Sequence, residues 1–88
     1  MIAVIYISGF VQNVGFRQFV KKEAVKLVLT GYVKNLQDGR VEVLVQGSKE
    51  QIETLVKHSE KRPFLSEVKN VAVEWVNLDE VYKDFEIL

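Results

Sequence analysis

Ile7-Ser8-Gly9-Phe10-Val11-Gln12-Asn13-Val14-Gly15-Phe16-Arg17 is the stretch from which the rest of the chain can be read. An apolar, β-branched run over residues 2–8 leads into it and predicts a strand. A helical stripe leads out of it, with Phe16, Phe19, Val20, Ala24, Leu27 and Val28 at i, i+3, i+4 spacing. The loop between them, residues 9–15, holds two glycines and an asparagine, types that tolerate positive φ. Such a loop can curl until successive backbone N–H groups point at one spot. At a helix N-terminus a concavity of that kind binds anions. Arg17 adds a planar, permanently charged fork suited to phosphate or carboxylate. The stretch predicts an oxyanion cradle, with phosphate as first choice. A plain strand-to-helix turn beside a surface arginine is the competing reading.

Outward from this point the pattern is regular. Gln18, Lys21, Lys22, Glu23 and Lys26 cover the polar face of the first helix, which is expected to stop near Leu29-Thr30 with Gly31 as its C-terminal cap. Gly31 to Leu36 reads as a second strand and Val41 to Gln46 as a third. Asp38-Gly39 makes the turn of a hairpin between them. Ser48 with Gln51 is a capping-box pattern, and Ile52, Leu55 and Val56 form a second helical stripe. His58, Lys61 and Arg62 fall in the last turn or just past it, and Pro63 ends the helix. Val68 to Val76 is a fourth strand with Val71, Val73 and Trp75 on one face, and Phe85 to Ile87 is a short closing strand. Trp75 and Phe64 read as core or hydrophobic cover, and His58 as a helix-end surface residue.

The order is βαββαβ with an extra C-terminal strand. It predicts an α+β, ferredoxin-like two-layer sandwich, with two helices on one face of a mixed, mainly antiparallel sheet. Residues 1–88 are expected to form one domain. In such a fold the first and second strands run parallel with the third between them, so their C-terminal ends share one edge. Asn35 lies near that end of the second strand, on the same face as Val33. It is thereby brought toward the start of the first helix, where Arg17 sits.

Composition narrows the function. Twelve Lys plus Arg balance twelve Asp plus Glu. Zero net charge argues against a dedicated nucleic-acid binder and against an electrostatic membrane anchor. No cysteine is present, which excludes disulfides, thiolate catalysis and cysteine zinc sites. With a single histidine, His58, no soft or imidazole ligand set for a metal is available. No apolar run is long enough to span a bilayer, and the N-terminus reads as a strand without a basic leader. A cytoplasmic monomer without metal or cofactor is expected.

At this point the residues match a family. Gly9 to Arg17, then Gly31-Tyr32-Val33-Lys34-Asn35, then Asp38-Gly39-Arg40-Val41-Glu42 resemble the acylphosphatase pattern, roughly G-R-V-Q-G-V-G-F-R, G-W-V-R-N and D-G-x-V-E. The three blocks match in order and at the expected spacing. The resemblance implies hydrolysis of carboxyl-phosphate anhydrides without a metal, with a small-molecule acyl phosphate as substrate and inorganic phosphate as product. Carried over by position, Arg17 would bind the phosphate and Asn35 would orient the attacking water. The amides of Phe10, Val11, Gln12, Asn13, Val14, Gly15 and Phe16 would cradle the phosphate. The chain departs from the pattern at Phe10, in place of arginine, and at Asn13, in place of a loop glycine. Tyr32 and Lys34 replace tryptophan and arginine. Asn13 matters most, because that position is expected to need positive φ. Phe10 is expected to influence which acyl groups are accepted.

The chemistry fits these residues. A carboxylate leaves without a general acid, since its conjugate acid has a pKa near about 4. Phosphoryl transfer then needs positioning and charge stabilisation. Two other classes stay open from sequence: an anion-binding or regulatory module that kept the cradle and lost turnover, and an RNA-binding domain on the same topology. The second needs stacking aromatics on the middle strands, and residues 41–46 have none.

Overall fold

The computed structural model describes residues 1–61 and 66–88. The expected ends at Arg62 and Pro63, and the placement of Phe64, lie outside the described residues. The elements run β1 (Ile2–Phe10), α1 (Phe16–Lys26), β2 (Thr30–Asn35), β3 (Val41–Gln46), α2 (Lys49–Glu60), β4 (Glu67–Val76) and β5 (Phe85–Ile87). One sheet has the order β4-β1-β3-β2-β5. Every pairing is antiparallel except β2 with β5. The ferredoxin-like two-layer sandwich is therefore the observed fold, with β1 and β2 parallel on either side of β3.

Strand periodicity sets the core. Ala3, Ile5 and Ile7 of β1 and Val41, Val43 and Val45 of β3 are all buried. With Val33 they face Phe16, Val20 and Ala24 of α1 and Ile52 and Leu55 of α2 in one cluster. Val71 and Val73 pack on its edge, as their shared face predicts. Trp75 stays 41% exposed at the edge strand, with Lys49 Nζ 6.0 Å from its ring centre, so it covers rather than fills the core. His58 lies in the last turn of α2, half-buried, with its Nδ1 3.0 Å from Glu23 Oε1 of α1 but in no hydrogen bond among the described residues.

The end of α1 corrects the sequence reading. The helix stops at Lys26, and Leu27 is the cap. Val28 takes φ 58°, its N–H donating to the Val25 carbonyl at 3.1 Å, while Leu29 N–H donates to the Ala24 carbonyl at 2.9 Å. These two bonds make a Schellman ending, with a β-branched residue where glycine is usual. Gly31 is not the cap. It lies in β2 at φ 137°, where a Cβ would collide with the Leu44 carbonyl oxygen. Glycine is needed there because β3 passes close.

The second sheet face is crossed by residues 77–84. Gln46 holds this crossing, donating from Nε2 to the Glu80 carbonyl at 3.0 Å and accepting the Tyr82 N–H at 2.9 Å. Tyr82 meets the Tyr32 ring edge-on. Tyr32 donates to Glu42 Oε2 at 2.9 Å. Burial, then this bond to a carboxylate, pushes the Tyr32 phenol from 10.0 up to about 12.

Two outcomes are expected. Val28 is exposed and in a backbone region that costs an L-residue about 1–2 kcal/mol. Val28→Gly should therefore raise the urea midpoint, by a net ~1 kcal/mol, with an unchanged m-value; a lower midpoint contradicts the assignment. For Tyr32 the folded pKa lies above the unfolded one. Its contribution is complete below pH 10 and disappears as pH rises toward 12. Urea titrations across that window should show wild type losing stability faster than Tyr32→Phe. Parallel curves would refute it.

Candidate active site

The β1–α1 connection is shorter than its letters suggest. β1 pairs with β4 as far as Phe10 opposite Glu67, with a register shift between Ser8 and Gly9. Gly9 takes φ 128°, and a Cβ there would meet the Glu67 carbonyl oxygen. Its glycine serves the bulge, so the expected loop over 9–15 becomes 11–15. Phe10 is accordingly the last strand residue, 61% exposed.

Within the shortened loop the left-handed backbone sits at Asn13, φ 61°, and Gly15, φ 78°. Asparagine thus adopts the conformation expected at its position. Val11 is buried and Val14 packs on the core, so two side chains anchor the loop. Gln12 supplies a tether that the sequence reading missed. Its Nε2 donates to the Leu36 carbonyl at 2.8 Å and to the Arg40 carbonyl at 2.9 Å. One amide thereby clamps the loop to the β2–β3 turn. The one signal in the letters is a long polar side chain placed directly after an anchoring valine.

The electrostatics at the head of α1 are unusual. Gly15 is the N-cap and gives no side-chain bond, and the first turn holds no acidic residue. It holds Arg17 instead, a cation at the positive end of the helix dipole. α2 shows the ordinary solution: Ser48 accepts the Gln51 N–H, Glu50 lies in the first turn, and Lys57 and His58 lie in the last. Ser48 also donates to Gln51 Oε1 at 2.9 Å, so the capping pair forms side chain to side chain. Among the described residues, the backbone N–H groups of Gln12, Asn13, Val14 and Gly15 make no hydrogen bond. A run of unengaged donors, an uncapped helix start and a guanidinium occupy one corner of the fold.

Leu88 joins Arg17 to the backbone of β2. Arg17 Nη1 donates to the Leu88 oxygen at 2.9 Å, and Leu88 N–H donates to the Val33 carbonyl at 2.9 Å. Val33 shares its strand face with Asn35 two residues on. Nothing in the sequence pattern announces this support for Arg17. Asn35 Oδ1 is buried and without a hydrogen-bond partner among the described residues. A buried, unpaired amide oxygen costs about 1–3 kcal/mol and marks a group kept for a ligand or water. No cluster of three or more His, Cys, Asp or Glu able to hold a metal occurs among the described residues. No described helix is long and apolar enough to cross a membrane.

Comparison with known proteins gives a consistent answer. The acylphosphatase family model matches residues 3–87. An acylphosphatase of Methanococcoides burtonii is 46% identical over 83 residues, covering 94% of this chain and 86% of its own. One from Thermus thermophilus is 46% identical over 72 residues, 82% of each. The crystal structure of acylphosphatase from Bacillus subtilis superposes with a TM-score of 0.94 at 37% identity, covering 100% of this chain and 99% of that one.

The Gln12 clamp generates a test. Gln12→Ala removes both side-chain bonds and frees the loop from the hairpin, while the Leu36 and Arg40 carbonyls keep their backbone donors, the N–H groups of Gly39 and Leu36. It should cost about 1–3 kcal/mol of stability in urea unfolding. A change below about 0.5 kcal/mol would show that the loop holds its shape without the clamp.

Proposed function

This chain belongs to the acylphosphatase family and hydrolyses the mixed anhydride of a carboxylic acid and phosphate; we propose that its loop amides and Arg17 hold the phosphate while Asn35 orients the water. The observation that carries the proposal is the run of unengaged N–H groups over residues 12–15, meeting the uncapped start of α1 beside Arg17. Donors fixed in place before the reaction stabilise charge on the phosphoryl oxygens without reorganising. The amides of Val11 and Phe16 flank this run and complete the cradle.

The step balances without a further reactant. Water oxygen forms a bond to phosphorus while the bond from phosphorus to the acyl oxygen breaks. The carboxylate leaves with the electron pair, and the water's proton passes to a phosphate oxygen. Asn35, whose unpaired Oδ1 is an acceptor, holds the water in line. Arg17 is held by Leu88 and so keeps its fork in place. We read residues 1–88 as one such unit, a monomer working in the cytoplasm. Its substrate and product are small molecules.

Hydrolysis of benzoyl phosphate in EDTA tests the assignment. Wild type should turn over. Arg17→Ala should raise KM and lower kcat, about 10²–10³-fold in kcat/KM. Asn35→Ala should lower kcat with little change in KM and no loss of stability, since its buried oxygen has no protein partner to lose. An active Asn35→Ala enzyme, or one that unfolds, would overturn its role. Phenyl phosphate, with a far poorer leaving group, should be turned over hardly at all.

A further inference from the structure

We propose that Phe10 is the specificity element of this site, forming an apolar wall for the acyl group and selecting aromatic and larger apolar acyl phosphates over small ones. The inference deepens the acyl phosphate assignment and rests on it.

Two observations converge on Phe10. It is the residue at which β1 ends, directly before the loop whose amides are unengaged. It is 61% exposed while its neighbour Val11 is buried, so the strand turns one side chain inward and leaves the other at the surface. An aromatic ring in water gains nothing for the fold, and an exposed aromatic beside a concave polar site is suited to stacking.

The reaction geometry points the same way. In-line displacement places the attacking water and the leaving acyl oxygen on opposite sides of phosphorus. Asn35 holds the water from β2, where it pairs with Val41 of β3. In the sheet order β4-β1-β3-β2-β5, the side away from β2 is that of β1 and β4. Phe10 ends β1, and its ladder partner Glu67 begins β4. The acyl group therefore departs toward the ring. Phe10 carries no charge, so it offers an acyl chain apolar area alone.

The test compares benzoyl phosphate with acetyl phosphate, in wild type, Phe10→Leu and Phe10→Ala, and reads the ratio of their kcat/KM values. Phe10→Ala should lower the benzoyl-to-acetyl ratio about tenfold, through KM, and Phe10→Leu should restore much of it. General damage to the cradle would lower both substrates together and leave the ratio fixed. A ratio unmoved by Phe10→Ala overturns the proposal while the hydrolase assignment stands. A wild type that turns over neither substrate instead defeats that assignment.

Discussion

Backbone N–H groups with nothing to bind are the constraint around which this structure is arranged. A helix start leaves orphan donors, and most helices satisfy them with a capping side chain. α2 does so with Ser48. α1 does not. Its cap is Gly15, its first turn carries Arg17, and the loop before it adds further unengaged donors. Local stability is forgone where an anion would restore it. Asn35 of β2, with its Oδ1 buried and unpaired among the described residues, repeats the pattern one strand beyond β3. Departures from local rules concentrate at one corner, as expected of a functional site.

The remainder of the fold makes that arrangement rigid. Val11 and Val14 pin the loop to the core, and Gln12 ties it to the β2–β3 turn. The parallel β5 brings Leu88 alongside Val33, and Leu88 in turn holds Arg17. The closing strand is short, yet the residue after it holds the guanidinium proposed to bind phosphate. Residues 77–84 carry the chain across the sheet to reach that place, fastened by Gln46. The ferredoxin-like topology thus has a chemical consequence: it brings the ends of β1 and β2 to one edge with β3 between them.

Much of this was legible in the letters, because it depends on periodicity and turn chemistry. The βαββαβ order, the Asp38-Gly39 turn and the Ser48 cap all follow from local patterns. The misreadings share a cause. Gly9 reads as a loop residue, and Gly31 as a helix cap as well as the first residue of a strand. Both sit in strands where the backbone of a neighbouring strand leaves no room for a Cβ. Close approach between distant segments leaves no mark in sequence spacing. Val28 in a left-handed cap defies its own propensity, so the helix end could not be placed. The Gln12 clamp and the Leu88 support are contacts across 24 and 71 residues, beyond the reach of a motif.

The central claim is that the amides of the β1–α1 loop are the phosphate site. The most direct measurement follows the backbone amide resonances of the full chain by NMR as inorganic phosphate is added in EDTA. The account predicts that Gln12, Asn13, Val14 and Gly15 shift together along one binding curve, and that Arg17→Ala weakens that curve. Shifts confined to surface lysines, or loop amides that stay still at saturating phosphate, would contradict it.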